Sequence, residues 1–309
     1  MTTSLYNRSL LSISDLTPEE LAHVVDVAQK LKKDDHPPLL RGKSVALIFE
    51  KPSLRTKVSF DVAVYQLGGN SIYLGQNEIG LGQREAISDV ARTLSRYTAG
   101  IVARVFSHQS LVELSRFAGV PVINALSDLE HPCQALADLL TIIEKKKSLR
   151  KLRIAFIGDG NNVAASLAFG TTMLGADLVI ASPGGYELPA AVQEKAGAYA
   201  KASGGGFAQI ISPEEAITGA DVVYTDVWAS MGQESSAESR AKAFSGYTVT
   251  LALFAHAKPN AIFMHDLPAH RGEEVVSEVI DGPQSVVFDQ AENRLHAQRA
   301  ILALLLSGT

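Results

Sequence analysis

Two hydroxyls and a guanidinium follow the first strongly apolar stretch of the chain. Segment 49–56 carries Ser53, Arg55 and Thr56 directly before apolar residues spaced at helical intervals. The first N–H groups of a helix lack partners within the helix, and its dipole attracts anions there. A guanidinium fork and two hydroxyls suit the oxygens of a phosphate. Alternatively to phosphate binding, Ser53 is a simple helix cap and Arg55 is a surface charge.

A second polar group opens another helical segment, His131-Pro132-Cys133-Gln134. His131 and Gln134 lie one turn apart, so both side chains can address one small polar group. Alternatively, His131 caps the helix and Gln134 is solvated. Cys133 could be a nucleophile, but the sequence offers no base partner for it, and a packed, inert thiol is the favoured interpretation.

Segment 158–163 has glycines after a strand in the manner of a dinucleotide-binding loop, but Val163 stands where the third glycine would be. The next strand ends in Ala181-Ser182-Pro183, without an acidic residue for a ribose. Both features disfavour NAD binding. The adjacent Asn161 and Asn162 indicate a small polar ligand or helix caps.

Two later strands also end in polar residues. Asp226 follows an apolar strand and could hold a ligand amine, or Asp226 and Ser230 could close a loop by bonding backbone groups. His265 and His270 lack the spacing of helical metal ligands, so we predict neither a metal nor a cofactor.

The elements around these segments alternate between apolar runs and helical patterns, which predicts parallel sheets covered by helices. Helical spacing begins after Thr17-Pro18, and a last apolar helix is predicted over 293–306, with Arg294 near its start. The predicted strands are 44–50, 101–106, 121–125, 153–157, 178–181, 207–211, 222–227 and 261–265. We predict two doubly wound α/β domains, with ligands at the carboxyl ends of the strands.

Length and composition fit this organisation. The 309 residues suffice for two domains, predicted as 1–147 with 291–309 packing back on it, and 148–290. The basic stretch 145–153 is interpreted as a solvated connection rather than an anion-binding tail.

Charge and cysteine content exclude several protein classes. A net charge of −5 offers no basic field for nucleic acid, and the one cysteine cannot form an internal disulfide. The apolar run 300–306 is short of a membrane span, and the start lacks a secretory signal. We therefore expect a cytoplasmic protein with no nucleic-acid or membrane partner.

In their order and identity, these segments resemble the ornithine enzymes of the aspartate/ornithine carbamoyltransferase family along nearly the whole chain. The matching motifs are Ser53-x-Arg55-Thr56, His131-Pro132-Cys133-Gln134, Gly158-Asp159-Gly160-Asn161-Asn162, Asp226-Val227-Trp228-Ala229-Ser230-Met231-Gly232 and Asp289-Gln290-Ala291-Glu292-Asn293-Arg294.

The resemblance implies a homotrimer that uses carbamoyl phosphate and L-ornithine without a covalent intermediate. The implied carbamoyl-phosphate contacts are Ser53, Leu54, Arg55, Thr56, Arg104, His131, Gln134, Asp266, Leu267 and Arg294. Of these, the implied catalytic residues are Arg55, Arg104, His131 and Asp266. The implied ornithine contacts are Asn162, Asp226, Ser230 and Met231.

Two positions depart from the family pattern. Asp266 stands where the family usually has a cysteine near the reacting amine. A carboxylate there could raise the pKa of the δ-ammonium of ornithine, act as a base, or turn outward. Gly80 falls where some members contribute a polar side chain to a neighbouring subunit, and Gln83 could replace it.

Three other functions stay open. The acceptor could be putrescine or an acylated ornithine, although Asp226 with Ser230 and Met231 favours a free amino-acid head group. Because Asp266 stands in place of the family cysteine, the protein could also be a catalytically weak homologue that binds carbamoyl phosphate. A nucleotide-binding dehydrogenase is disfavoured because the third glycine is missing.

Overall fold

A computed structural model of the chain describes residues 4–33, 37–229 and 237–307. The chain divides into two compact units, Met1–Leu140 with Glu292–Thr309, and Thr141–Ala291. The divisions therefore fall a few residues from the predicted 147/148 and 290/291. The basic stretch lies wholly in the second unit because its lysines bond there: Lys145 pairs with Asp289 at 2.9 Å, and Lys146 donates to the Asn260 carbonyl.

The first unit is built on a parallel four-stranded sheet in the order β2-β1-β3-β4. Its strands are β1 (Ser44–Phe49), β2 (Asn70–Gly75), β3 (Gly100–Arg104) and β4 (Val122–Leu126). Its helices are α1 (Pro18–Lys33), α2 (Leu54–Gln66), α3 (Gln76–Ile79), α4 (Ile87–Tyr97), α5 (His108–Phe117) and the start of α6 (Pro132–Lys146). A short 3₁₀ helix, Ile13–Asp15, precedes α1.

Strand β2 is the element of this sheet that the sequence analysis missed. It is an edge strand whose residues are exposed or only partly buried, so it carries no continuous apolar run. The central strands β1 and β3 are buried almost throughout, which explains why their apolar runs were readable.

The second unit has a parallel five-stranded sheet in the order β7-β6-β5-β8-β9. Its strands are β5 (Arg153–Ile157), β6 (Asp177–Ala181), β7 (Gly206–Ile210), β8 (Val222–Thr225) and β9 (Ile262–Met264). Its helices are α7 (Asn162–Met173), α8 (Ala190–Ser203), α9 (Pro213–Ile217), α10 (Ala237–Ala243), α11 (Leu251–Phe254) and α12 (Ser277–Ile280). The prediction of doubly wound α/β units is confirmed.

The last helix, α13 (Val287–Leu306), begins earlier than the predicted 293–306. Arg294 therefore lies inside the helix rather than near its start. The preceding segment Asp289-Gln290-Ala291-Glu292 contains no breaker, so helix propensity extends the element toward its N-terminus. No helix in the described ranges has the length and apolarity needed to cross a bilayer.

Each sheet reverses its winding direction once, and this reversal determines where polar strand ends meet. In the first unit β2 and β3 flank β1, and in the second β6 and β8 flank β5. Ligands of doubly wound sheets bind at such switch points, outside the carboxyl ends of the strands. The residues after β1 and β3, and after β5 and β8, are therefore the ones placed to contact a ligand.

Gly160, in the turn after β5, shows how tightly this edge is packed. A Cβ at this position would lie 2.3 Å from the Leu188 backbone nitrogen, whereas a Cβ at Gly184 would meet nothing within 4 Å. Close backbone approach therefore requires a glycine at 160.

Gly160→Ala is expected to destabilise the protein by about 1–3 kcal/mol, because overpacking forces the backbone to move. Differential scanning calorimetry should show a clearly lower Tm for Gly160→Ala and a nearly unchanged Tm for the matched Gly184→Ala. Equal Tm values for the two variants would contradict this packing argument.

Candidate functional site

In the first unit, the N-terminus of α2 places two hydroxyls beside each other at the end of β1. Ser53 is the N-cap, and its Oγ accepts the Thr56 N–H at 3.3 Å. The same hydroxyl lies 3.0 Å from Thr56 Oγ1, which also accepts a bond from Arg294 Nη2 at 2.6 Å. Thr56 is fully buried, whereas Leu54 is 75% exposed. Ser53 is thus both a cap and part of a polar cluster.

Arg104 reaches the same edge from the end of β3. The register with β4 shifts between Ala103 and Arg104, and such an irregularity redirects the side chain at a strand end. The Arg104 carbonyl accepts the Glu50 N–H at 2.9 Å, which ties the ends of β3 and β1 together. Arg104 and Arg294 are both largely buried, so they concentrate positive charge.

His131 is buried, and its ring feels the charges of these two arginines. Burial and the charges of Arg294 and Arg104 together hold the pKa of the His131 imidazole well below its usual value. The ring is therefore neutral at physiological pH, and it can donate one hydrogen bond without adding a third positive charge.

Gln134 lies one turn further along α6 and is fully buried. Its Nε2 donates to Asp138 Oδ1 at 2.9 Å. Its Oε1 is buried and has no hydrogen-bond partner within the described residues. A buried acceptor without a partner is costly, and a ligand N–H would remove that cost.

In the second unit, Asn161 joins the turn after β5 to the residue after β8. Asn161 Oδ1 caps α7 by accepting the Val163 and Ala164 N–H groups at 3.0 Å each. Its Nδ2 donates to Asp226 Oδ2 at 2.7 Å. The other Asp226 oxygen, Oδ1, accepts the Val227 N–H at 2.7 Å. Asp226 thus bonds a nearby backbone group, as one part of the alternative held, while Ser230 lies outside the described residues, and Asp226 also faces the carboxyl group of Asp266.

Asp226 and Asp266 form a buried pair of carboxyl groups. Burial raises the pKa of Asp226 well above its usual value, and the charge of Asp266 and a hydrogen bond between the two side chains raise it further, against the opposing effects of His265 and Asn161. Asp266 therefore turns inward toward Asp226 rather than outward. Two carboxyls in contact hold one proton between them.

The loop after β9 is held by His265. Its Nδ1 accepts the Leu267 N–H at 2.9 Å, and its Nε2 lies 3.1 Å from Glu274 Oε1, which assigns the ring proton to Nε2. Leu267 has a φ of 62°, in the left-handed region that is unfavourable for a leucine. The bond to His265 secures that conformation, and it orients the neighbouring Asp266.

Two groups of side chains bring possible metal ligands within 4.8 Å of one another: Asp226, His265 and Asp266, and His270, Glu273 and Glu274. In the first group, both ring nitrogens of His265 are already hydrogen-bonded. A metal there would have to break these bonds, so that group fits an organic cation better. The absence of a metal stays a prediction.

The predicted residues thus gather in two clusters. Thr56, Arg104, His131, Gln134 and Arg294 lie at the edge of the first sheet, with Ser53 and Arg55 at the helix end, and Asp226 and Asp266 meet in the second unit. Asn162 is the first residue of α7 and is partly buried. Ser230 and Met231 lie outside the described residues.

Sequence reasoning missed Asn161 and Glu274 as partners of the acidic cluster. The sequence marked Asn161, beside Asn162, as a ligand contact or a helix cap, but it gave no sign of the bond to Asp226. Glu274 carries no local signal, because its contact with His265 joins residues nine positions apart across a loop.

Cys133 lies in the first cluster but is chemically quiet. The thiol is fully buried, donates to the Asn124 carbonyl at 3.3 Å, and has a pKa that burial raises to about 12. The thiolate is the reactive form, so the packed-thiol interpretation is the better supported one.

Cys133 should resist a thiol reagent in the native protein, since roughly one thiol in 10,000 is ionised at pH 8 when the pKa is about 12. Titration with Ellman's reagent should detect no fast thiol until guanidinium is added, and one equivalent afterwards. Rapid labelling of the native protein would contradict the assigned burial.

Comparisons with known proteins agree with both halves of this description. The family model of the aspartate/ornithine carbamoyltransferase carbamoyl-phosphate-binding domain matches residues 8–144, and that of the Asp/Orn-binding domain matches residues 150–305.

Relatives match the whole length of the chain. An ornithine carbamoyltransferase of Thermococcus kodakarensis is 53% identical over 312 residues, covering 100% of this chain and 99% of the relative. An anabolic ornithine carbamoyltransferase of Pyrococcus furiosus is 52% identical over 314 residues, covering 100% and 98%. The solved P. furiosus ornithine carbamoyltransferase structure has a TM-score of 0.95 at 51% identity, with complete coverage of both chains. The chain therefore belongs to the aspartate/ornithine carbamoyltransferase family.

Proposed function

We propose that this protein transfers the carbamoyl group of carbamoyl phosphate to the δ-amine of L-ornithine, giving L-citrulline and phosphate. The observation that carries the proposal is the opposite charge of the two clusters. The first unit buries arginines and neutral donors, which suit an anionic substrate, whereas the second buries carboxyls, which suit a substrate with an ammonium group.

Carbamoyl phosphate binds at the N-terminus of α2 in this proposal. Its phosphate accepts bonds from the Ser53 and Thr56 hydroxyls, the Leu54 backbone and the Arg55 guanidinium. The first-turn N–H groups and the helix dipole add to this attraction. The exposure of Leu54 is compatible with a role through its backbone alone.

The carbamoyl group is addressed by the buried side chains behind the phosphate. Arg104, Arg294 and the neutral His131 donate toward the carbonyl oxygen, and Gln134 Oε1 accepts from the carbamoyl NH₂. Negative charge grows on the carbonyl oxygen as the amine attacks, so fixed donors there lower the barrier, which is often the largest catalytic contribution.

The reaction needs no group beyond the two substrates. The neutral δ-nitrogen forms a bond to the carbonyl carbon, and the bond from that carbon to the phosphate oxygen breaks. The departing phosphate takes the proton that the nitrogen loses. Holding both substrates in line removes the entropic cost of their encounter.

Ornithine binds in the second unit through its amino-acid head group. Asp226 pairs with the α-ammonium, while Asn162 and the Met231 backbone address the α-carboxylate and Ser230 completes the contact. Asn161 fixes the Asp226 carboxylate by its 2.7 Å bond, which orients the charge before the substrate arrives. By the sequence resemblance, Asp266 and the Leu267 backbone also belong to the carbamoyl-phosphate contacts.

The protein acts as a homotrimer in the cytoplasm, in the direction of arginine biosynthesis. The sequence resemblance supports the trimer, the lone cysteine fits a reducing compartment, and the name of the anabolic P. furiosus relative supports the direction. Gly80, which has a φ of 49°, leaves the intersubunit polar contact to Gln83, whose side chain is exposed.

The function is tested by measuring the carbamoylated product that the protein forms with each of three acceptors. L-Ornithine should be carbamoylated, whereas putrescine and N-acetylornithine should be poor acceptors because each lacks part of the amino-acid head group.

Asp226→Asn should lower kcat/KM for ornithine by at least about 30-fold, since truncating one partner of a buried charge pair costs roughly 2–5 kcal/mol.

In the assay with three acceptors, preferred use of an acceptor other than L-ornithine would contradict the assigned substrate. Carbamoyl-phosphate binding without any transfer would favour a binding protein.

Asp266 is expected to shift the pH profile of kcat/KM for ornithine upward. The pKa of Asp226 is raised, so the pair becomes fully ionised, and binds a cation best, only at higher pH. Asp266 also favours the protonated δ-ammonium. Both effects place the rising limb of the profile at higher pH, and removing the Asp266 charge moves that limb to lower pH.

Asp266→Cys and the isosteric Asp266→Asn should both show this acidic displacement in initial-rate profiles measured from pH 6 to 10. Asp281→Asn removes an exposed carboxylate of the same unit and serves as the matched control. Identical profiles for the wild type and both Asp266 variants would contradict the role given to Asp266.

A further inference from the structure

A partly buried arginine outside the predicted site holds the chain next to Asp226. We propose that Arg240 is a positioning residue for ornithine binding, acting through Asp159 and the Trp228 backbone. The inference rests on the proposed function, because it concerns the affinity of the second unit for its amino-acid substrate. Arg240 belongs to no motif quoted for the family resemblance.

Arg240 makes two short bonds with its Nη1. It donates to Asp159 Oδ2 at 2.7 Å and to the Trp228 carbonyl at 2.6 Å. Asp159 follows β5, and Trp228 lies two residues after Asp226, so the guanidinium bridges the two loops at the switch point of the sheet.

The bridge is largely shielded from water. The side chains of Arg240 and Asp159 are 14% and 12% exposed, so water screens their attraction little. The Tyr186 ring lies 5.0 Å from the guanidinium carbon and covers it. The Tyr186 carbonyl in turn accepts the Gly160 N–H at 2.8 Å, which fixes the turn that carries Asp159.

The bridge runs alongside the bond from Asn161 to Asp226. Asn161 lies two residues after Asp159, and both connections join the loop after β5 to the loop after β8. Asn161 holds the Asp226 carboxylate itself, and Arg240 holds the backbone just beyond it. With Arg240 removed, the bond from Asn161 still joins the two loops, but the backbone beyond Asp226 is no longer fixed, and the carboxylate can shift from the position that pairs with the α-ammonium.

The consequence is specific to the acceptor substrate. Arg240 belongs to the second unit, whereas the cluster proposed for carbamoyl phosphate belongs to the first. Loss of the bridge should therefore weaken ornithine binding and leave carbamoyl phosphate unaffected. A merely structural role would instead lower the stability and affect both substrates alike.

Steady-state kinetics of Arg240→Gln, measured on the full-length protein with each substrate varied in turn, test this inference. The KM for ornithine should rise by about 10- to 100-fold, since small misplacements of binding groups have effects of that size. The KM for carbamoyl phosphate should stay at the wild-type value. Arg240→Lys keeps the charge but not the planar fork, so its KM for ornithine should lie between those of the wild type and Arg240→Gln.

Arg271→Gln is the matched control, because Arg271 also makes two bonds to a carboxylate, that of Asp281, but on an exposed surface (44% and 50%). Its kinetics should equal those of the wild type. The inference is overturned if Arg240→Gln and Arg240→Lys leave the KM for ornithine unchanged, or if both KM values rise together. An inactive wild type would instead contradict the proposed function.

Discussion

This structure depends on the interactions of charged groups that are buried at the carboxyl ends of parallel strands. Such groups are costly unless a partner compensates them. In the first unit burial, together with the charges of Arg294 and Arg104, keeps His131 neutral, and Thr56 accepts a bond from Arg294. In the second unit two carboxyls face each other. Each cluster is thus left with an excess of one sign, which a substrate of opposite charge can neutralise.

The two units gather their polar groups in the same way. Each winding reversal gathers several strand ends at one place, so short loops can combine side chains from distant parts of the sequence. Asn161, His265 and Arg240 hold the loops that carry Asp226 and Asp266.

Much of the fold was predictable because buried parallel strands have apolar runs and helix starts have caps. Strand β2 escaped because an edge strand needs no such run, and the start of α13 was misplaced because nothing in its sequence marks it. The motifs indicated which segments carry the chemistry. The bond from His265 to Glu274 crosses a loop, and the bond from Arg240 to Asp159 links residues far apart in the sequence, so no local pattern reveals either of them.

A crystal structure with carbamoyl phosphate and L-norvaline, which is ornithine without its δ-amine, tests the central claim most directly. We expect the phosphate at the N-terminus of α2, against Ser53, Arg55 and Thr56, and the norvaline ammonium against Asp226. A phosphate bound elsewhere, or a norvaline ammonium that makes no contact with Asp226, would contradict it.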